Sequence, residues 1–284
     1  NFAVSGLLVS NVSFLIGLIG LIRLISLDYN KNIARLSVIL LLLFPTSFYF
    51  GSFYTESLFF ALSVWAFYFA RKDKWILAGM LGAAASATRL VGLVLLPVFI
   101  AEAWQERKKK GIDIKKLFGI FMVPLGLLAY MCFLKIKTGD PLEFFTSVEI
   151  FGQQRSNTLV FLPQVFYRYF FKILPALNYN YFPVIFTTFL ELTLAIAFLT
   201  FSLLTFLKMR LSYALYLTFG YLIPTLSGSF SSLPRYVVVL FPAFIISAIY
   251  LSKLKKVPRF IIYFFLFITL AIAASLFIRG FWVS

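Results

Sequence analysis

"WILAGMLGAAASATRLVGLVLLPVFIAEAW", residues 75–104, is an apolar stretch long enough to cross a membrane once, yet it lies between two basic clusters, "RKDK" (71–74) and "QERKKKGIDIKK" (105–116). A single crossing would place the clusters on opposite sides, against the tendency of basic loops to stay cytoplasmic. Two short arms that turn at "SATRLVG" (86–92) keep both clusters on one side. Each arm then has about 15 residues, or about 22 Å of helix, short of the hydrocarbon thickness of about 30 Å. The turn must lie below the outer surface, and it carries Arg89.

The neighbouring sequence repeats this logic. In 33–70 one arm is "IARLSVILLLLFP", the turn is "TSFYFGSFYTES" and the return arm is "LFFALSVWAFYFA", with Glu56 at the outer start of the return. A third hairpin spans 211–251, with "SGSFSSLPRY" at its tip and Arg235 within it. Three hairpins therefore each present a charged residue at the outer end. Non-helical backbone at membrane depth is tolerated only where protein buries it or it lines a wet cavity, so the tips are expected to surround a chamber open to the outside.

The wider composition fits. The chain is 62% hydrophobic, 20% aromatic and 13% charged, with a mean hydropathy of +0.96, where a soluble domain carries about 25% charged residues. Apolar runs such as "LSVILLLLF" (36–44) and "FFLFITLAIAASLFI" (264–278) lack the alternation of a membrane barrel. The expected fold is all-α: a single polytopic transmembrane helical bundle over 1–284, with about ten helical segments. These are 3–27, 33–45, 55–70, 75–87, 90–104, 117–134, 183–207, 211–225, 236–252 and 260–278. Gly79, Ala83 and Ala87 at four-residue spacing predict close packing of the fourth segment on a neighbour.

The net charge of +16 is clustered between apolar runs, which points to anionic lipid headgroups as partners and away from nucleic acid. Lys31/Arg35, Arg71/Lys72/Lys74, Arg107–Lys116, Lys208/Arg210 and Lys253–Arg259 hold 17 of the 26 Lys and Arg, and all are assigned to the cytoplasmic side. The acidic residues of those loops are Asp28, Asp73, Glu106 and Asp113. Histidine is absent, which excludes a His base, His–metal ligation and Ser–His catalysis. The single Cys132 permits no disulfide within the chain and is expected only to pack. No cofactor or metal site is indicated. The start "NFAVSG" reads as the beginning of a fragment.

The longest outer segment, 135–182, is too short for a soluble catalytic domain. Asp140 and Pro141 in "GDPLEFFTSVEIF" form a helix start, with Glu143 and Glu149 as further caps, and "FLPQVFYRYFFKILP" (161–175) reads as an interfacial amphipathic helix. "FGQQRSN" (151–157) places Gln154 and Arg155 in a loop that could reach a substrate.

Among the charged residues, Glu56 has two readings. A carboxylate in a first helical turn gains about 0.3–1 kcal/mol from the helix dipole; a carboxylate at membrane depth is also expensive and marks a site. Tyr54, Thr55 and Ser57 add hydroxyls beside it and, with Tyr236, are candidate substrate contacts. Arg89 and Arg235 present planar, permanently charged donors suited to a phosphate, with Tyr236 adjacent to the second. Glu191 pairs with an arginine or stays neutral and hydrogen-bonded. Together these residues fit glycosyl transfer from a lipid-phosphate sugar, in which a carboxylate accepts the acceptor's proton and arginines hold the leaving phosphate. The competing class is a transporter or flippase of a phospholipid-linked glycan.

"LLLFPTSFYFGSFYTESLFF" (41–60), "ATRLVG" (87–92) and "SLPRYVVVLFPAF" (232–244) resemble, in order, three recurring membrane motifs of the PIG-V-like mannosyltransferases, relatives of GPI mannosyltransferase II within the GT-C integral-membrane glycosyltransferases. The resemblance implies inverting transfer of a mannose-type sugar from a polyprenyl-phosphate donor to a glycan or lipid acceptor. The reaction would face the non-cytoplasmic side of an endoplasmic reticulum membrane in a eukaryote or a cell membrane in a prokaryote. Glu56, Arg89 and Arg235 map onto motif positions. The family's catalytic base, usually an Asp in the first outer loop, is expected upstream of Asn1, which leaves Glu56 a supporting acid/base and this fragment inactive alone.

Overall fold

The computed structural model describes residues 2–110, 113–147 and 159–283, and every regular element among them is helical. Four helices are long and apolar enough to cross a membrane: α1 (Phe2–Ile25), α6 (Ile114–Thr138), α9 (Phe182–Lys208) and α13 (Lys256–Ile278). They make the chain an integral membrane protein. Between them lie the shorter α2 (Lys31–Leu42), α3 (Glu56–Arg71), α4 (Trp75–Thr88), α5 (Leu95–Lys110), α10 (Leu211–Thr225), α11 (Leu233–Val237) and α12 (Pro242–Leu251), with α7 (Glu143–Thr146) and α8 (Leu162–Arg168) in the segment after α6.

Residues 75–104 are not one straight helix. Arg89 adopts extended backbone (φ −152°, ψ 138°), a 3₁₀ turn follows over Leu90–Val94, and α5 returns. Gly92 permits the turn, because a Cβ there would lie 2.5 Å from the backbone of Ala85 and Ser86. Trp75 at the start of α4 meets Phe99 of α5 edge-on at 6.1 Å between ring centroids. Further along, Glu102 reaches back to Arg71, just before α4 begins.

The arms around 33–70 also return to their starting end, where Arg71 closing α3 grips Asp28 ahead of α2 with two hydrogen bonds of 2.6 and 2.7 Å. These two arms do not pack mainly on each other: α3 lies against α1 and α4, while α2 lies against α12. Aromatic residues fill the resulting core, with Phe67 and Phe241 in ring contact with each other and with both Tyr213 and Tyr216.

The small residues of α4 do serve close packing, and the partner is α6. A Cβ on Gly79 would lie 2.5 Å from the Gly119 carbonyl oxygen, and one on Gly126 would lie 1.7 Å from that of Ala83. Ser86 of α4 then donates its hydroxyl to the Val123 carbonyl of α6. Cys132 corrects one expectation: it is exposed on α6, on the outward side with Leu128 and Phe133, and does not pack in the core.

The aromatic helix in the segment between α6 and α9 is amphipathic in a specific way. α8 continues through a π turn, Tyr169–Ile173, burying Val165 and Tyr169 while exposing Tyr167, Phe170 and Phe171. Its inner face sets Phe166 edge-on and Tyr169 tilted against Phe230 of the third hairpin tip.

Gly126→Ala is expected to cost about 1–3 kcal/mol through overpacking. Gly51→Ala, whose added carbon would have its nearest neighbour at 3.9 Å, is expected to change nothing. Thermal unfolding in detergent checks both, and equal losses would contradict backbone contact between α4 and α6.

Candidate functional site

Glu56 begins α3, Arg89 caps the end of α4, and Arg235 lies on the five-residue α11. The three residues meet. Arg89 Nη1 donates to Glu56 Oε1 at 2.6 Å, and Arg235 Nε donates to the same oxygen. Residues 33 and 179 positions from Glu56 in sequence thus share one carboxylate atom.

Each backbone feature here has a cause. The helix start gives Glu56 a favourable dipole. Extended Arg89 ends α4 and turns its side chain away from the helix line, with its N–H still bonded to the Ala85 carbonyl at 3.1 Å. Ser232, at φ 64°, reverses the chain before Pro234 opens α11, since proline's fixed φ suits a first helical turn.

The Glu56 carboxylate is fully buried, whereas the Arg89 and Arg235 side chains are 9% and 23% exposed. The acid therefore sits behind the bases. Its Oε2 has no hydrogen-bond partner among the described residues. Aromatic rings hold the cations in place: Arg235 lies 4.1 Å from the Tyr54 ring centroid and 5.3 Å from that of Tyr49, and Arg89 lies 5.2 Å from Tyr236 and 5.9 Å from Phe59. Cation–π contacts of this kind gain strength where water is excluded.

Both guanidiniums face a cavity of about 570 Å³, together with Thr55 and Tyr236. The far wall is apolar and aromatic, built from Leu127 and Tyr130 of α6, Phe144 and Phe145 of α7, and Ile223 and Leu226 at the end of α10. One carboxylate against two guanidiniums leaves an excess positive charge at the cavity wall. Arg235 keeps both Nη groups, and Arg89 keeps Nε and Nη2, without hydrogen bonds among the described residues. The arrangement can receive an anion by paired charge-assisted hydrogen bonds.

The other expected residues divide. Thr55 and Tyr236 line the cavity. Tyr54 stacks on Arg235. Ser57 is fully buried and spends its hydroxyl on the Phe50 carbonyl at 2.6 Å, so it faces the protein interior. Glu191 accepts from the Tyr169 hydroxyl at 2.8 Å. Gln154, Arg155 and Glu149 lie outside the described residues.

One charged residue escaped the sequence reading. Glu102, 1% exposed, takes Arg71 Nε at 3.0 Å, Arg210 Nη2 at 2.6 Å and the Ser212 hydroxyl at 2.6 Å. With Asp28 on Arg71 it forms a second charge cluster at the other end of α3. A helix of that length separates the clusters by about 22 Å. The available signal was an acid in the last apolar turn of a segment flanked by basic helix ends.

No protein-family model, curated protein or solved structure matches the chain.

Glu56→Ala leaves two poorly solvated guanidiniums without their shared counter-charge, and the expected loss is about 3–5 kcal/mol of stability. Unfolding in detergent measures it. A midpoint equal to wild type would contradict the role of Glu56 as the shared anchor.

Proposed function

We propose that the chain is a membrane glycosyltransferase of GT-C type that moves a mannose-type sugar from a polyprenyl-phosphate donor to an acceptor on the non-cytoplasmic face. In this reading its roughly ten helical segments, the short hairpins included, span or enter the bilayer. The observation that carries the proposal is the pair of arginines, fixed by one carboxylate and left in excess of it, on the wall of an amphipathic cavity.

The chemistry follows from charge. When the acceptor oxygen bonds to the sugar's anomeric carbon, the bond from that carbon to the phosphate oxygen breaks, and the phosphate leaves with the electron pair. Arg89 and Arg235 stabilise that developing charge in a site of low dielectric, where fixed donors act most strongly. They need no reorganisation, because Glu56 and the stacked tyrosines have already oriented them. The apolar wall opposite would lie along the donor's prenyl chain. Removal of the acceptor proton falls to a group other than Glu56, whose carboxylate lies behind both arginines and has no exposed surface. Glu56 is a positioning residue in this scheme.

Arg89→Ala is expected to lower transfer from a polyprenyl-phosphate sugar by about 10²–10³ while membrane insertion stays normal. A radiolabelled-sugar transfer assay on purified membranes reads the outcome. Turnover within a factor of about three of wild type would contradict the phosphate role, since losing such an electrostatic donor costs about 10²–10³ in kcat.

A further inference from the structure

The turn "FPTSFYFGS" (44–52) supplies no group to the cavity, yet it touches both sides of the charge cluster. Thr46 is fully buried, and its hydroxyl donates at 2.7 Å to the carbonyl of Pro234, the residue before Arg235. The two are 188 positions apart. On the other side of the same turn, Phe50 receives the Ser57 hydroxyl, one residue after Glu56.

The need for the first bond comes from α11. A helix of five residues has too few successors to satisfy its own carbonyls. Its packed face is short: Leu233, Pro234 and Val237 are buried against α9 and α10, and Ser232 just ahead of it lies in the left-handed region. We infer that Thr46 is a positioning residue for Arg235, holding α11 in the orientation that presents the guanidinium to both Glu56 and a bound phosphate; this rests on the phosphate reading of the cavity. Ser57 performs the matching task for the start of α3. The two hydroxyls thus register an acid and a base, carried on distant helices, against one turn, whose Ser47–Gly51 form a 3₁₀ helix.

The test uses farnesyl phosphate binding to the purified full chain in detergent, measured by titration calorimetry. Thr46→Val keeps the shape and removes the donor, and it is expected to weaken binding about tenfold. Thr46→Ser restores the donor and is expected to bind within about twofold of wild type. Thr46→Ala removes the same donor with less bulk and carries the same expectation as Thr46→Val, should the valine variant not fold. In an Arg235→Gln background, Thr46→Val is expected to add nothing further, because its effect acts through Arg235. Wild-type affinity in both Thr46→Val and Thr46→Ala, no rescue by serine, or a full additive loss in the Arg235→Gln background would overturn the positioning role. A wild-type chain that does not bind farnesyl phosphate would instead remove the phosphate reading, and the positioning role with it.

Discussion

A single carboxylate oxygen of Glu56, closed off from solvent, is shared by two guanidiniums that come from different hairpins. Unpaired buried charge is costly, so the three groups constrain one another: moving any of them leaves the others without their counter-charge. The broken helix at Arg89, the reversed backbone at Ser232 and the helix start at Glu56 can be understood as the local geometries that let this contact form. The aromatic rings over each arginine add attraction without competing for its donors.

The opposite end of α3 provides an internal comparison. There Asp28 and Glu102 meet Arg71 and Arg210, two acids against two bases, and the hydroxyls of Ser212 and Tyr213 donate to Glu102 and Asp28. That cluster is balanced and ties helix ends together. The Glu56 cluster uses the same residue types but keeps one more base than acid, and its spare donors face a cavity. Neutralised charge fits a clasp, whereas retained charge fits a receptor for an anion. The contrast between the ends favours the anion site proposed above at one and a structural fastening at the other.

Much of the helical layout was legible because the signals were strong ones. Basic clusters on both sides of 75–104 made a straight crossing costly, and the break at Arg89 falls where the short arms required it. The meeting of Glu56, Arg89 and Arg235 was expected from the same argument about hairpin tips. Other features left no comparable trace. Helices surrounded by lipid have no polar face to betray their neighbours, so the packing of α2 on α12 and of α3 on α1 could not be read from periodicity. Cys132 sits outward for the same reason, since lipid and core both accept an apolar side chain. Glu102 drew no reading because the charge argument concerned the hairpin tips, and Ser57 looked like a substrate hydroxyl until its bond to Phe50 was seen. The order of acid behind bases depends on side-chain direction, which hairpin topology alone does not specify.

The most direct test is an experimental structure of the chain in lipid nanodiscs with a prenyl phosphate bound. The phosphate oxygens should sit about 2.7–2.9 Å from free nitrogens of both Arg89 and Arg235, the distance of charge-assisted hydrogen bonds. Glu56 should remain bridged between the two arginines from behind. A phosphate bound elsewhere, or Arg89 and Arg235 separated from Glu56 and turned towards lipid, would contradict the central claim.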